Sequence, residues 1–295
     1  MKVKLILFTL FLSAQCIAQK TTIGFGVGGS NYWGDLNTPS FINNVQQTNF
    51  AFQVHIKQYI TPKLDIRFNA LFGQLSGDDA KSSAEWQILR NVNFNSSLKE
   101  YSLMAEYSLV DVISDKAEYR FTPFIAAGIA LFQFNPKTSY INDIGQTVSV
   151  ELQPLGTEGQ GLAGYPEKYS LSEISIPFGG GFRYAVNDNI SIGIELIGRF
   201  TFTDYIDDIS TNYPFNEDLL LNGQRGILAS QLSYRGDELA GTPDVGIPME
   251  KEGDTRGSES VKDYYFTGML NLTYRLNGGL FSGNGGGGGM GCPTF

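Results

Sequence analysis

The segment S-E-I-S-I-P-F-G-G-G-F-R-Y-A-V-N-D-N-I-S-I-G-I-E-L-I-G-R-F-T-F-T (172–203) decides the fold. Its apolar residues return at every second position, the period of a strand and not of a helix. Ile190, Ile192, Ile194, Leu196, Phe200 and Phe202 share one face. Ser191, Glu195, Arg199, Thr201 and Thr203 share the other, with Ile197 as the exception. Before the Asn187-Asp188 connection, Ile174, Ile176, Phe178, Phe182 and Tyr184 oppose Glu173, Ser175, Gly181 and Arg183. Both runs exceed the ~9–11 residues with which a tilted strand crosses a bilayer.

The same alternation extends outward through the chain. In 262–276, Phe266, Leu270, Leu272, Tyr274 and Leu276 oppose Thr267, Asn271, Thr273 and Arg275. In 98–110, Tyr101, Leu103, Ala105, Tyr107 and Leu109 oppose Glu100, Ser102, Glu106 and Ser108. In 63–75, Leu64, Ile66, Phe68, Ala70 and Phe72 oppose Asp65, Arg67 and Asn69; in 48–59, Phe50, Phe52, Val54 and Ile56 oppose Gln53, His55 and Lys57. Segment 21–30 sets Ile23, Phe25 and Val27 against glycines, and 119–133 is apolar on both faces, so its orientation is open.

These eight segments are joined by connections that alternate strictly in length. Residues 60–62, 111–118 and 187–188 are short; 31–47, 76–97, 134–171 and 204–261 are long. A soluble sandwich also alternates along its strands, but alternating loop lengths are the mark of an up-and-down outer-membrane barrel. The expected fold is therefore all-β: an eight-stranded antiparallel transmembrane β-barrel over residues 19–276, with both ends in the periplasm. No apolar run after the N-terminal segment is long enough for a membrane-spanning helix.

Residues 1–18 read as a signal peptide: Lys2 and Lys4, a short apolar run from Leu5 to Leu12, and Cys16-Ile17-Ala18 before Gln19. Gln15 is not the small residue that lipidation of Cys16 requires. Without Lys2 and Lys4, 19 basic residues stand against 30 acidic ones, a charge of −11. Such a balance argues against nucleic acid as a partner.

On the inward face, Lys57, Arg67, Arg183, Arg199 and Arg275 are set against Asp65, Glu100, Glu106, Glu173 and Glu195. An eight-stranded barrel is only wide enough for its side chains to fill, and charges buried there must pair. The balanced set is expected to form an internal salt-bridge network, a plugged scaffold instead of a pore. His55, the single histidine, reads as part of this polar interior and not as the base of a lipid-modifying enzyme. Asp204, Asp207 and Asp208 read as a structural extracellular loop in preference to a calcium site, with Tyr205 and Tyr213 at the membrane interface. Gly24, Gly26, Gly28 and Gly29 precede no helix, so they form no nucleotide loop and instead leave room for interior side chains or serve sheet curvature. No catalytic residue, metal site or cofactor is expected.

After Leu276 the chain runs N-G-G-L-F-S-G-N-G-G-G-G-G-M-G-C-P-T-F (277–295). Glycine orders only at high entropic cost, so this reads as a flexible periplasmic tail. It carries Cys292, unpaired once Cys16 is removed, and an odd cysteine in an exported protein suggests a bond to another chain.

Three stretches carry a family resemblance: I-G-F-G-V-G-G-S-N-Y-W-G-D-L-N (23–37), P-F-I-A-A-G-I-A-L-F-Q-F-N-P (123–136) and T-D-Y-I-D-D-I-S-T-N-Y-P (203–214). The chain resembles the PorG-type outer-membrane barrels of Bacteroidetes, which belong to the type IX secretion system, over roughly residues 20–276. The third block also occurs in related Bacteroidetes barrels of unknown role. The resemblance implies a non-enzymatic anchor for a periplasmic ring built by a PorK-like lipoprotein and a PorN-like subunit, with Cys292 forming a disulfide to it. The alternative is an adhesion or receptor barrel acting through its long loops.

Overall fold

The computed structural model describes residues 21–110, 120–142, 144–239 and 246–276. The segment 1–18 read as a signal peptide, the 111–118 connection and the tail with Cys292 lie outside these described residues.

Eight long strands follow one another around a closed ring. They are β1 (Thr21–Trp33), β2 (Asn49–Tyr59), β3 (Leu64–Asp78), β4 (Asn93–Ser108) and β5 (Phe121–Gln133). After a short β6–β7 hairpin (Pro136–Ile141 and Thr147–Glu151) come β8 (Ser172–Ala185), β9 (Ile190–Thr201) and β10 (Tyr264–Leu276). Every neighbouring pair is antiparallel, and β10 closes on β1 from Thr21↔Leu276 to Trp33↔Tyr264. The register can be followed around the wall from Thr21 through Gln58, Ile66, Ala105, Ala127, Phe178, Gly198 and Phe266. It returns to β1 at Asn31, ten residues beyond Thr21. A stagger of this kind comes with strands tilted by about 35–45° to the barrel axis.

The barrel is inside-out relative to a soluble protein. Ile23, Phe25, Val54, Phe68, Leu103, Ile129, Ile194, Leu196, Leu270 and Leu272 point outward and are exposed, while Gln53, Lys57, Arg67, Asn69, Glu100, Glu106 and Arg199 are buried. Aromatic rings border this outer belt. Tyr107, Phe121, Tyr184 and Tyr274 stand near the short-turn end, and Trp33, Phe50, Phe200 and Phe202 near the loop end. An apolar exterior ~25 Å tall between aromatic girdles is the surface that hydrocarbon solvates. For β5, apolar on both faces in sequence, the register turns Phe124, Ala126, Ala130 and Phe132 inward and Ile125, Ile129 and Leu131 outward. Ile197, the break in the β9 alternation, faces inward and packs with Met104, Phe124 and Ala126.

Several strands run past the ends expected from alternation, because their loop-side residues continue pairing above the belt. β3 reaches Asp78 and β4 begins at Asn93, joined by Asp78↔Asn93. The long connections are also more ordered than open loops. Short helices at Glu85–Arg90, Asn216–Leu220 and Gln224–Ser233 join the β6–β7 hairpin in a cap over one end of the barrel, and a further short helix, Phe41–Gln46, links β1 to β2. The cap shares an apolar core with the upper barrel, including Leu36, Val92, Phe94, Phe134, Leu152, Ile209 and Leu232.

Candidate functional site

Two charged layers cross the barrel interior. The first lies toward the short-turn end. Lys57 Nζ donates to both Glu106 carboxylate oxygens at 3.0 Å, and Arg67 Nη1 lies 2.6 Å from Glu195 and 3.7 Å from Glu106. Arg183 also reaches Glu106 and stands 4.0 Å from Asp65. Gln53 Nε2 bridges Glu195 at 2.6 Å and Asn271 at 2.8 Å. The second layer lies nearer the loops. Arg199 donates to Glu100 at 2.8 and 3.3 Å, to the Ile197 carbonyl at 2.7 Å and to Thr267. Tyr265 Oη donates to the same Glu100 at 2.8 Å.

Strand geometry explains these partnerships. Glu195 and Arg199 share the inward face of β9 but stand four residues apart, ~13 Å along a strand, so each pairs across the lumen instead. Lys57 and Arg67, adjacent through β2–β3 pairing, converge on the single carboxylate of Glu106. Phe132, Leu71, Leu75, Leu98 and Met269 fill the loop-side interior around Tyr265.

Two of the charges assigned to this network stand at the two ends of the barrel. Arg275 shares the inward register of Thr273, but it is the penultimate residue of β10, where the barrel opens, and it is exposed. Glu173, at the second residue of β8, is half-buried at the opposite end.

His55 is buried beside β1, where glycine makes room: a Cβ at Gly24 would strike the imidazole ring. Gly26 likewise accommodates Gln53 and Asn271. Neither His55 nitrogen has a hydrogen-bond partner among the described residues, and the same holds for the side-chain amide of Asn69, its partner across β3.

The cap contains a second buried polar system that alternation did not reveal. Arg256 pairs with Glu158 at 2.8 Å and donates to the Asp208 and Ser233 carbonyls at 2.7 and 3.1 Å. Glu158 in turn accepts from the Ser210 and Thr211 amides at 2.9 and 3.0 Å. Arg90 grips Asp79 through two bonds of 2.7 and 2.9 Å and ties down the Arg256 carbonyl at 2.7 Å. The three aspartates considered for calcium each accept hydrogen bonds within this scaffold, while the second oxygen of Asp204, Oδ1, is buried without a partner among the described residues. Asp204 accepts from Ser210, Asp207 from Tyr32, and Asp208 from Thr157 and Tyr169. Tyr32 also donates to Asp263.

Burial dominates the protonation of these carboxyls. It pushes Asp204 up to about 7 and Asp208 up to about 6, the latter held back by Arg256. Burial and then Asp263 hold Asp207 well above the usual range; burial and then Asp204 do the same for Asp263.

Tyr205 and Tyr213 depart from the interfacial placement expected of them. Tyr213 is buried in a small cap core with Leu219, Ala229 and Ile247, and Tyr205 stacks on Tyr169 with centroids 4.6 Å apart. The 203–214 block folds inward because its carboxyls and rings find partners in the cap. Next to it lies an open cleft of about 550 Å³, lined by Tyr165, Asn212, Pro214, Phe215 and Glu259 among others.

Apolar belt, aromatic girdles and paired interior together define an eight-stranded transmembrane β-barrel. The chain belongs to the family described as a domain of unknown function (DUF6089), whose model matches residues 1–155. No curated protein matches it. Solved structures similar to it include the attachment invasion locus protein Ail of Yersinia pestis in complex with the heparin analogue sucrose octasulfate. That chain is 8% identical with a TM-score of 0.38, covering 88% of this chain and 99% of Ail. Neisserial surface protein A is 7% identical with a TM-score of 0.40, covering 87% and 97%. A major outer membrane protein from Thermus thermophilus is 12% identical with a TM-score of 0.39, covering 87% and 99%. At these scores the barrel rests on its own strand pairing.

Proposed function

We propose that this chain is a non-enzymatic outer-membrane component of the type IX protein secretion and gliding machinery. In this reading it anchors a periplasmic ring, made of a PorK-like lipoprotein and a PorN-like subunit, to the outer membrane. The observation that carries the reading is the filled interior. Four cations, Lys57, Arg67, Arg183 and Arg199, meet four carboxylates, Asp65, Glu100, Glu106 and Glu195, within the barrel. A barrel filled in this way suits holding a position in the membrane better than conducting solutes. The resemblance of 23–37, 123–136 and 203–214 to PorG-type barrels supports the specific machine. The loops then face outward and the short turns face the periplasm, with the tail and Cys292 on the periplasmic side.

A glycine-rich tether of this length has a root-mean-square reach of about 20–25 Å. Cys292 can search the space beneath the barrel, and a disulfide formed there persists in the oxidising periplasm. The test is electrophoresis of isolated outer membranes with and without reductant, for wild type and Cys292→Ser. A reducible higher-mass species lost in Cys292→Ser, with barrel insertion intact and ring retention weakened, supports the reading. A wholly free thiol at Cys292 in unreduced cells refutes the covalent anchor.

The cleft beside Phe215 favours a second reading, an adhesion or receptor barrel working through its cap. Phe215→Asp, at the exposed wall of the cleft, separates the two: the receptor reading predicts loss of surface binding with secretion unchanged.

A further inference from the structure

The short helix Phe41–Gln46 between β1 and β2 has two unlike sides. Phe41, Ile42 and Val45, at spacing i, i+1, i+4, form one apolar face and are 74%, 66% and 51% exposed. The other side is fastened to the barrel. Asn44 is buried, its side chain accepting from the Thr38 amide at 2.8 Å and donating to the Thr38 carbonyl at 3.0 Å. Asn43 Nδ2 donates to the Lys81 carbonyl at 2.8 Å. The decisive contact is Asn31, whose Nδ2 donates to the Asn44 carbonyl at 2.7 Å and to Thr48 at 3.1 Å. Asn31 shares the outward face of β1 with Val27 and Trp33. The helix is therefore hung on the outside of the wall and not folded over the lumen.

Its level follows from its neighbours. Trp33 stands two residues beyond Asn31 on the same outward face, and Phe50 follows the helix at the second residue of β2, 68% exposed. Both belong to the upper aromatic girdle. The apolar face of the helix thus continues the lipid-facing belt at the level where hydrocarbon gives way to headgroups. A short amphipathic helix with Phe and Ile on one side and amides on the other suits that boundary.

We propose that helix 41–46 is an interfacial anchor, lying in the membrane leaflet at the loop end of the barrel with Phe41, Ile42 and Val45 seated among the lipids. The occupant of this face is lipid, because the face is continuous with the surface that lipid already covers. The proposal rests on the reading of the barrel as membrane-spanning and adds a fixed depth on its β1–β2 side.

The test uses residues 19–295, which lack Cys16, with Cys292→Ser, reconstituted in phosphatidylcholine vesicles. Nitroxide labels are placed singly at Ile42→Cys, at Phe68→Cys in the belt and at Asn222→Cys in the cap. Collision with oxygen and with a water-soluble nickel chelate is then measured. The expected result is that Ile42 favours oxygen over nickel by several-fold, as Phe68 does, while Asn222 favours nickel. Should Ile42→Cys fail to insert, Val45→Cys reports the same face. An Ile42 or Val45 label as open to nickel as Asn222 overturns the anchor while leaving the barrel intact. A Phe68 label open to nickel overturns the membrane-spanning barrel itself. Shielding of Ile42 from both probes, with a cross-linked dimer, shows that a second copy covers the face and ends the lipid assignment.

Discussion

Replacing Arg199 with Leu offers a direct reading of how the interior is held. The guanidinium sits in the upper charged layer with two bonds to Glu100, one to the Ile197 carbonyl and one to Thr267. Glu100 is fully buried. In Arg199→Leu its carboxylate keeps only the Tyr265 hydroxyl, and the Ile197 carbonyl loses this donor. Breaking a buried pair from one side costs about 3–5 kcal/mol, because the remaining charge is uncompensated. Removing both charges, as in Arg199→Leu/Glu100→Leu, costs far less, since an apolar pair of similar volume replaces a pair whose desolvation nearly offset its attraction. The assay is reversible urea unfolding in lipid vesicles, read by tryptophan fluorescence and by the shift between folded and heat-denatured bands on gels. The expected order of stability is wild type, then the double variant close behind, then Arg199→Leu well below both. A single variant within about 1 kcal/mol of wild type, the range of an exposed pair, refutes the buried-network argument. A double variant as unstable as the single one refutes the pairing of these two residues.

Further expectations address topology, pH and glycine packing. A cysteine at Asn222, exposed in the cap, is expected to react with a membrane-impermeant label in intact cells; one at Asp188, in the β8–β9 turn, is not, and the reverse pattern inverts the orientation. Asp204 and Asp208 titrate at about 7 and about 6 in the folded cap, above the ~3.9 of an unfolded aspartate. The folded state then binds more protons than the unfolded one between these values, so cap stability falls as pH rises from about 4 to about 7. Protease cleavage within 204–263 is expected to be slower at pH 5 than at pH 8, and Asp204→Asn to flatten that difference; a faster rate at pH 5 contradicts the sign. Gly24→Val is expected to destabilise the barrel by driving a side chain into His55, and His55→Ala to restore much of the loss in the double variant. Planar-bilayer recordings of the wild-type barrel are expected to show no stable conductance, and a long-lived open channel refutes the filled interior.

Much of the barrel was legible because a membrane strand writes its environment into alternate residues. Lipid on one side and a crowded polar lumen on the other impose a period of two, as in Ile190–Phe202 and Tyr101–Leu109. Seven of the eight strands and their outward faces follow from that period; the eighth, β5, was legible as an apolar run whose faces the period left open. The period also placed Lys57, Arg67, Glu100, Glu106, Arg183, Glu195 and Arg199 on inward faces.

Partner choice and depth were not contained in it. Parity assigns a face, whereas the ten-residue stagger decides which strands bring their charges together, so only the closed barrel pairs Arg199 with Glu100 and Arg67 with Glu195. Distance from the strand end separated exposed Arg275 from its buried counterparts, and register oriented β5, whose two apolar faces carry no period-two contrast. The cap was least legible. Its long segments share no single repeat, and contacts such as Arg256–Glu158 and Arg90–Asp79 join residues far apart or in differently shaped turns. Such contacts exist only once the barrel has brought the ends of its strands together, because a periodic pattern records the solvent each residue meets and not the distant side chain it will touch.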